Sequence, residues 1–592
     1  MPNAPSPACI RTSSGNRTLL VLADSSQSEA LHLPEALYAA LGHWGMPYRI
    51  LDLAQERLAR ARLAGHAAVV IAQEHLGSRL GAEAVGALLS AVEAGLGLVN
   101  CDHDLEPYGA AYCDALGLAG TGLGGKLVVD GVDRVGLPRD DHYVTYTREA
   151  GSTVPLRQPV PMLRARATGA TEVLAEAPDG APLLLAARLG QGKIVQWLLS
   201  PKVWTHPYLG HAHGLDDLLW KGIAWAARKP FVMKALPPFV RARFDDCYGW
   251  WRNGADLDWV DLLNAYGHVP SLAVCMRAVT PDGAARLRTL VDAGRAEVAP
   301  HTLAPATSIY YGDERWVEYS EDEFRAIIAE VKGLLGRWGI RPSPILSDHD
   351  HGWSWRVVPL LAELGIEFKM NITLPGERWE DPHVDWRPAP YGSMDYALDY
   401  LPAPLGHLFV VFNHYPAFEH ARAYLPDGRF LYNRPGGFGP YKWDFLNGLV
   451  TYQGAQASNQ VEAAAQRLAD HTRLALDSLF FGGSISHSHF VRELSPADWH
   501  AILDRYEALT ARYEKRNVGY DHVAYYARSH VDSHLAHAEA APDGTVRCRL
   551  EGRATLPLDL YVFRDIDGGV EHRYEPVPAF DGAQDVTLAG SV

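Results

Sequence analysis

The sequence predicts a multidomain α/β protein: a doubly wound parallel sheet first, a (β/α) barrel in the middle, and a small β-sandwich last. Three observations lead there. Short apolar runs alternate with helical patterns over the first two hundred or so residues. A second series of strand–helix pairs follows the Pro237-Pro238 punctuation, and several of its strands lead into Asp or His. The last sixty or so residues then switch to short alternating runs separated by Gly and Pro. At 592 residues the chain is too long for one hydrophobic core.

Composition narrows the function classes. Apolar residues make up 47 % and charged residues 21 %, the mix of a soluble globular protein. A net charge of -16 argues against nucleic acid and anionic membrane surfaces, both of which need clustered Lys and Arg. No run of apolar residues is long enough to span a bilayer. Residues 1–17 are polar, read as a flexible terminus, and lack the apolar stretch of an intact signal peptide. A cytoplasmic location is expected, or a secreted one if a signal was removed. Six scattered cysteines without a CxxC pair read as free thiols.

Residues 18–235 open with Leu19–Leu22 as a buried strand and Leu33–Trp44 as a helix. Strands at Tyr48–Leu51, Ala67–Ala72 and Gly97–Asn100 follow, with a helix at Ala82–Glu93 between the last two. Leu183–Ala187 and Lys193–Leu199 flank a Gly-Gln-Gly turn and read as a hairpin; Leu215–Arg228 reads as a helix. This order resembles the glutamine-amidotransferase-like flavodoxin fold. A working amidotransferase needs a nucleophilic Cys on a tight elbow, and Cys101, followed by Asp102-His103-Asp104, lacks the flanking glycines. Cys101 is therefore read as structural, and His211 and His213 as lining an interface or cleft. Such a domain leaves a homo-oligomer open.

Residues 240–530 supply strand candidates at Val240–Phe244, Ser271–Met276, Ala296–Ala299, Pro344–Leu346, Glu367–Ile372, Leu408–Phe412 and Ser478–Phe481. Helical patterns lie at Pro281–Ala293, Glu321–Trp338, Trp355–Leu364, Asn459–Ala475 and Pro496–Lys515. An aromatic-rich insertion at about 371–456 reads as a substrate-shaping excursion. Residues 532–592 carry the runs Val546–Leu550, Leu558–Phe563, Glu571–Tyr574 and Asp585–Leu588 of the sandwich.

The chemistry sits at the strand ends, which form the reactive face of such a barrel. Asp245 and Asp246 end the first strand. On extended chain, neighbours point apart, so one carboxylate can bind a cation while the other accepts a proton. His301 follows the third strand, His349 and His351 the fourth, and His487 and His489 the last. Imidazoles and a carboxylate around an open position are what a hydrolytic metal site requires.

This order resembles the polysaccharide deacetylase (NodB-homology) family, over roughly 270 residues. The resemblance implies a barrel of deacetylase type and a metal-dependent hydrolase that removes an acetyl group from a carbohydrate. It assigns Asp245 as general base, Asp246 and His301 as ligands of a divalent metal, expected to be Zn²⁺, and His487 or His489 as general acid. The family's second motif histidine falls at Pro305, which cannot ligate, so His349 or His351 is expected to complete the metal site. Arg243, Trp353, His414, Tyr415 and Trp443 are the expected substrate contacts. Two other classes stay open: a glycoside hydrolase using Asp245, Asp348 or Asp350, and a carbohydrate-binding protein without activity.

Overall fold

A computed structural model describes residues 11–118, 127–169, 171–205, 207–247, 257–304, 307–310, 319–347, 349, 357–371, 398–400, 408–412, 451–452, 455–456, 461–488, 494–567 and 569–589. The chain is mixed α/β with several sheets, in two compact units. One comprises Met1–Leu236, Asp477–Leu479 and Ser529–Val592; the other comprises Pro237–Leu476 and Phe480–Arg528.

The first unit is built on a nine-stranded sheet of order β2-β1-β3-β4-β9-β8-β7-β5-β6. Its strands are β1 (Leu19–Ala23), β2 (Tyr48–Asp52), β3 (Ala68–Ile71), β4 (Gly97–Asn100), β5 (Leu127–Leu137), β6 (Ser152–Leu163), β7 (Glu172–Glu176), β8 (Pro182–Leu189) and β9 (Gly192–Trp197). The first four and β9 run parallel. Every residue of β1, β3 and β4 is buried, which is why these strands read as unbroken apolar runs rather than alternation. The Gly190-Gln191 hairpin joins β8 and β9 antiparallel, as the turn residues predict. The long β5–β6 pair has no counterpart in the sequence reading. Its β6 edge carries Pro155, Pro159 and Pro161, which remove ladder donors and hide a strand from pattern reading. The chain after Asp532 forms five antiparallel strands in two three-stranded sheets, one completed by β10 (Phe231–Met233).

In the second unit, a six-stranded sheet curls as half a barrel. It contains β11 (Phe239–Cys247), β12 (Pro270–Cys275), β13 (Glu297–Ala304) and the short β14 (Thr307–Ser308). A second sheet holds β15 (Ile345–Leu346), β16 (Phe368–Asn371), β17 (Asp399–Tyr400) and β18 (Phe409–Phe412); Thr451–Tyr452 and Ala455–Gln456 pair as β19 and β20. The curled sheet is completed by β21 (Gly482–His487) and β22 (Arg516–Asn517), both parallel to β11. Phe244, Trp259, Leu272, Val298, Leu346, Trp499 and Ile502 are among the buried residues beneath it. The Phe244 and Trp259 ring centroids lie 4.1 Å apart.

Two expected elements are corrected, and one helix is added. The last barrel strand is Gly482–His487 rather than Ser478–Phe481; its two leading glycines read as loop, and the apolar run before it drew the strand forward. The helix expected at Trp355–Leu364 is a 3-10 segment over Val358–Leu364. A helix at Tyr520–Asp532 was not expected. Its N-terminus has a non-local partner: Glu297, which begins β13, accepts the backbone N–H of Tyr520 at 2.7 Å and of Asp521 at 3.1 Å. Gly519 permits this approach, because a Cβ there would fall 2.0 Å from the Glu297 carboxylate.

Burial pushes the Asp521 carboxyl up to about 6, against a hydrogen bond from Ser343 that favours the anion. Burial and the neighbouring Asp521 raise Glu297 as well. The folded chain thus holds a proton that an unfolded Asp releases near its ordinary value, so stability falls as pH rises from about 4 through about 6. Asp521→Asn removes this dependence. Its stability relative to the parent chain should rise between pH 4 and pH 8 by at most roughly 3 kcal/mol in denaturant titrations. A difference constant with pH would contradict this account.

Candidate metal centre

Both strands that carry the central residues are interrupted by bulges just where those residues sit. Along β11 and β12, Phe244 pairs with Leu272 but Cys247 pairs with Val274, so Asp245 and Asp246 together face a single residue. Asp246 takes φ 55, left-handed backbone that a non-glycine residue rarely adopts. Along β12 and β13, Val274 pairs with Pro300 and Cys275 with Thr302, leaving His301 as the extra residue. Bulges bend a strand and re-aim its side chains. Here they bring Asp246 Oδ1 to 3.4 Å from His301 Nε2.

The third member comes from the loop after β15. His349 Nε2 lies 3.9 Å from Asp246 Oδ1, and its ring meets that of His301 edge-on at 5.2 Å. One ligand atom from each of Asp246, His301 and His349 lies within 4.8 Å of the other two. Asp246 and His301 are buried, whereas the His349 side chain is 24 % exposed and gives the group an open side.

Hydrogen bonding fixes how His301 presents itself. Its Nδ1 donates to the Ser347 carbonyl at 2.9 Å. In the neutral ring this leaves Nε2 as a lone pair facing a carboxylate oxygen, an arrangement that needs a proton or a metal ion between the two. Burial pulls the His301 imidazole down, but Asp245 and Asp246 outweigh it and hold its proton affinity above the ordinary value. The donor set of one carboxylate and two imidazoles suits Zn²⁺ and similar divalent cations, with three protein ligands and one open position. The residues therefore fit the metal the sequence resemblance implies.

Asp245 turns to a different partner. Arg243, two residues earlier on the same strand, donates from Nε to Asp245 Oδ1 at 2.5 Å and from Nη2 to Ser347 Oγ at 2.8 Å. Arg243 was expected to touch substrate; it is 1 % exposed and engaged with these two groups. Ser347 was not singled out from the sequence, yet it meets both His301 and Arg243. Its place directly after a strand and before Asp-His-Asp-His was the available signal.

Among the remaining expected site residues, His487 ends β21 at the register position beside Asp245. Pro305, Asp348, Asp350, His351, Trp353, His414, Tyr415, Trp443 and His489 lie outside the described residues. In the first unit Cys101 is fully buried, and burial raises its thiol far above the ordinary range, so it offers no thiolate. His211 has both ring nitrogens engaged, with Asp216 at 2.8 Å and the Ala36 carbonyl at 3.1 Å.

No family model matches the chain, and no curated protein matches it in sequence. Among solved structures, the chain is similar to a protein described as a polysaccharide deacetylase from Mycobacterium smegmatis. The two share 16% identity over 50% of this chain and 91% of that one, with a TM-score of 0.33. It is also similar to an allantoinase, at 13% identity over 47% of this chain and 72% of that one, TM-score 0.24. A cytoplasmic protein from Salmonella typhimurium matches at 14% identity over 36% of this chain and 100% of its own, TM-score 0.25. These likenesses are partial and shallow, and the functional reading rests on the site geometry.

Proposed function

We propose that the chain is a metal-dependent hydrolase that removes an acyl group, acetyl in the first instance, from a carbohydrate. The observation that carries this reading is the convergence of Asp246, His301 and His349, with the Arg243–Asp245 pair beside them on the same strand. Asp246, His301 and His349 would hold a divalent cation, with Zn²⁺ favoured by the nitrogen-rich donor set. When bound, such an ion polarises a carbonyl oxygen and lowers the pKa of a water molecule.

The remaining work falls to protein groups. Arg243 holds Asp245 by one carboxylate oxygen, Oδ1, and the other, Oδ2, is the one assigned to take the proton of the attacking water. His487, beside Asp245 in the register, is the group assigned to protonate the departing sugar oxygen or nitrogen, with His489 as its alternative. Ser347 keeps the His301 ring turned with Nε2 toward Asp246.

Incubation with a panel of O- and N-acetylated oligosaccharides should release acetate without new reducing ends. Asp245→Asn should lower kcat by about 100-fold or more and leave metal content intact. Reducing sugar without acetate would replace the deacetylase reading with a glycosidase one, and no product from any member would overturn both. Ser347→Ala removes the hydroxyl that accepts from Arg243 but keeps the carbonyl that accepts from His301 Nδ1. It should lower kcat about tenfold, with recovery in Ser347→Thr, and leave Zn²⁺ affinity unchanged. A tenfold loss of affinity, measured by competition with a chromogenic chelator, would show that the hydroxyl rather than the carbonyl supports the ligand.

A further inference from the structure

The first unit has its own left-handed residue at the carboxyl end of a parallel strand. Between β3 and the helix Gly77–Glu93 the chain turns through His75 at φ 59. Buried Asp102, after β4, holds the turn by accepting the backbone N–H of His75 at 3.0 Å and of Gly77 at 3.1 Å. A non-glycine residue in this conformation carries backbone strain, and such residues cluster at functional sites. The strand order β2-β1-β3 reverses between β1 and β3. In open α/β sheets, ligands bind outside the carboxyl ends of the strands beside such a reversal.

Glu74 and His103 sit at that edge, after β3 and β4, exposed by 5 % and 3 %. Glu74 is anchored on both oxygens: Oε1 accepts the Ser200 hydroxyl at 2.5 Å, and Oε2 meets the Lys202 ammonium at 2.7 Å. His103 Nδ1 faces Oε1 at 3.9 Å, too far for a direct bond. Among the described residues this buried nitrogen has no hydrogen-bond partner. A buried polar atom left in this way calls for a missing partner. Burial lowers the His103 imidazole to about 4, so the ring is neutral, and the Glu74 charge favours its one proton on Nδ1.

The missing partner must then accept from an N–H and donate to a carboxylate oxygen at the same time. A hydroxyl does both through one oxygen atom. A carbonyl only accepts, and an ammonium only donates. Among the described residues no three potential metal ligands converge here, so a coordinated cation is not the fit. At the rim, the His75 side chain is 46 % exposed with Nδ1 bonded to Asp104 at 3.0 Å, and Lys202 is 31 % exposed. Both can meet further hydroxyls of the same ligand. Nδ1 itself is sealed from solvent in the free chain.

We propose that Glu74 and His103 form a second binding site, separate from the Asp246 centre, for a small polyhydroxylated molecule of the monosaccharide type, one hydroxyl of which bridges the carboxylate and the imidazole. The test uses the full chain carrying Asp246→Ala, so that the metal centre is disabled and its failure cannot be mistaken for failure here. Calorimetric titration with glucose, N-acetylglucosamine and glycerol should give saturable binding of at least one sugar. Glu74→Gln and His103→Phe, each added to that background, should weaken it about tenfold or more. Lys202→Met, at a partly exposed position, decides the matter if a buried substitution prevents folding; it should alter the affinity as well. No saturable heat with any probe would mean that the gap holds a water only, and equal affinity in the variants would place the sugar elsewhere. Either result overturns the proposal.

Discussion

Everything proposed for the second unit depends on one awkward juxtaposition: a carboxylate oxygen of Asp246 held against the Nε2 of a buried His301 whose other nitrogen is already bonded to the Ser347 carbonyl. Two acceptors do not rest against each other in a low-dielectric interior without a positive charge between them. The chain builds this contact from two bulges and one left-handed residue, and none of these features improves the sheet that contains them. The ladder that leads up to each bulge is regular. This left-handed residue amid converging charged groups is the strain on which the proposed metal site rests.

The division of labour between the two aspartates follows from the same bulge. Asp245 keeps the strand's alternation and lies on the face of Arg243, two residues back, so a guanidinium holds it. Asp246 leaves the alternation and meets the imidazoles instead. Adjacent carboxylates thus acquire different electrostatic surroundings without any distant residue being recruited for the first of them. Ser347 joins the two halves, because its hydroxyl meets the guanidinium while its carbonyl orients His301.

Much of this was legible in the sequence, for physical reasons that also mark the limits. Strands β1, β3 and β4 announce themselves because burial on both faces demands near-unbroken apolar runs, as in Ala68–Ile71. The helix Glu321–Trp338 is bounded as expected, since Ser320 and Glu323 close a capping box within the local sequence and Gly339 ends it. The helix Tyr520–Asp532 was hidden because its N-terminal amides are served by Glu297, 223 residues before Tyr520. Asp246, His301 and His349 could be nominated from their order at strand ends. Nothing local could choose between His349 and His351, foresee the bulges, or turn Arg243 from substrate toward Asp245.

The most direct test of the central claim is to count bound metal. Equilibrium dialysis of the purified chain against Zn²⁺, followed by elemental analysis, should find one ion per chain. That ion should be lost in Asp246→Ala, His301→Ala and His349→Ala but retained in Asp245→Asn. A chain that binds no stoichiometric ion, or an Asp246→Ala variant that binds Zn²⁺ as tightly as the parent, would contradict the account.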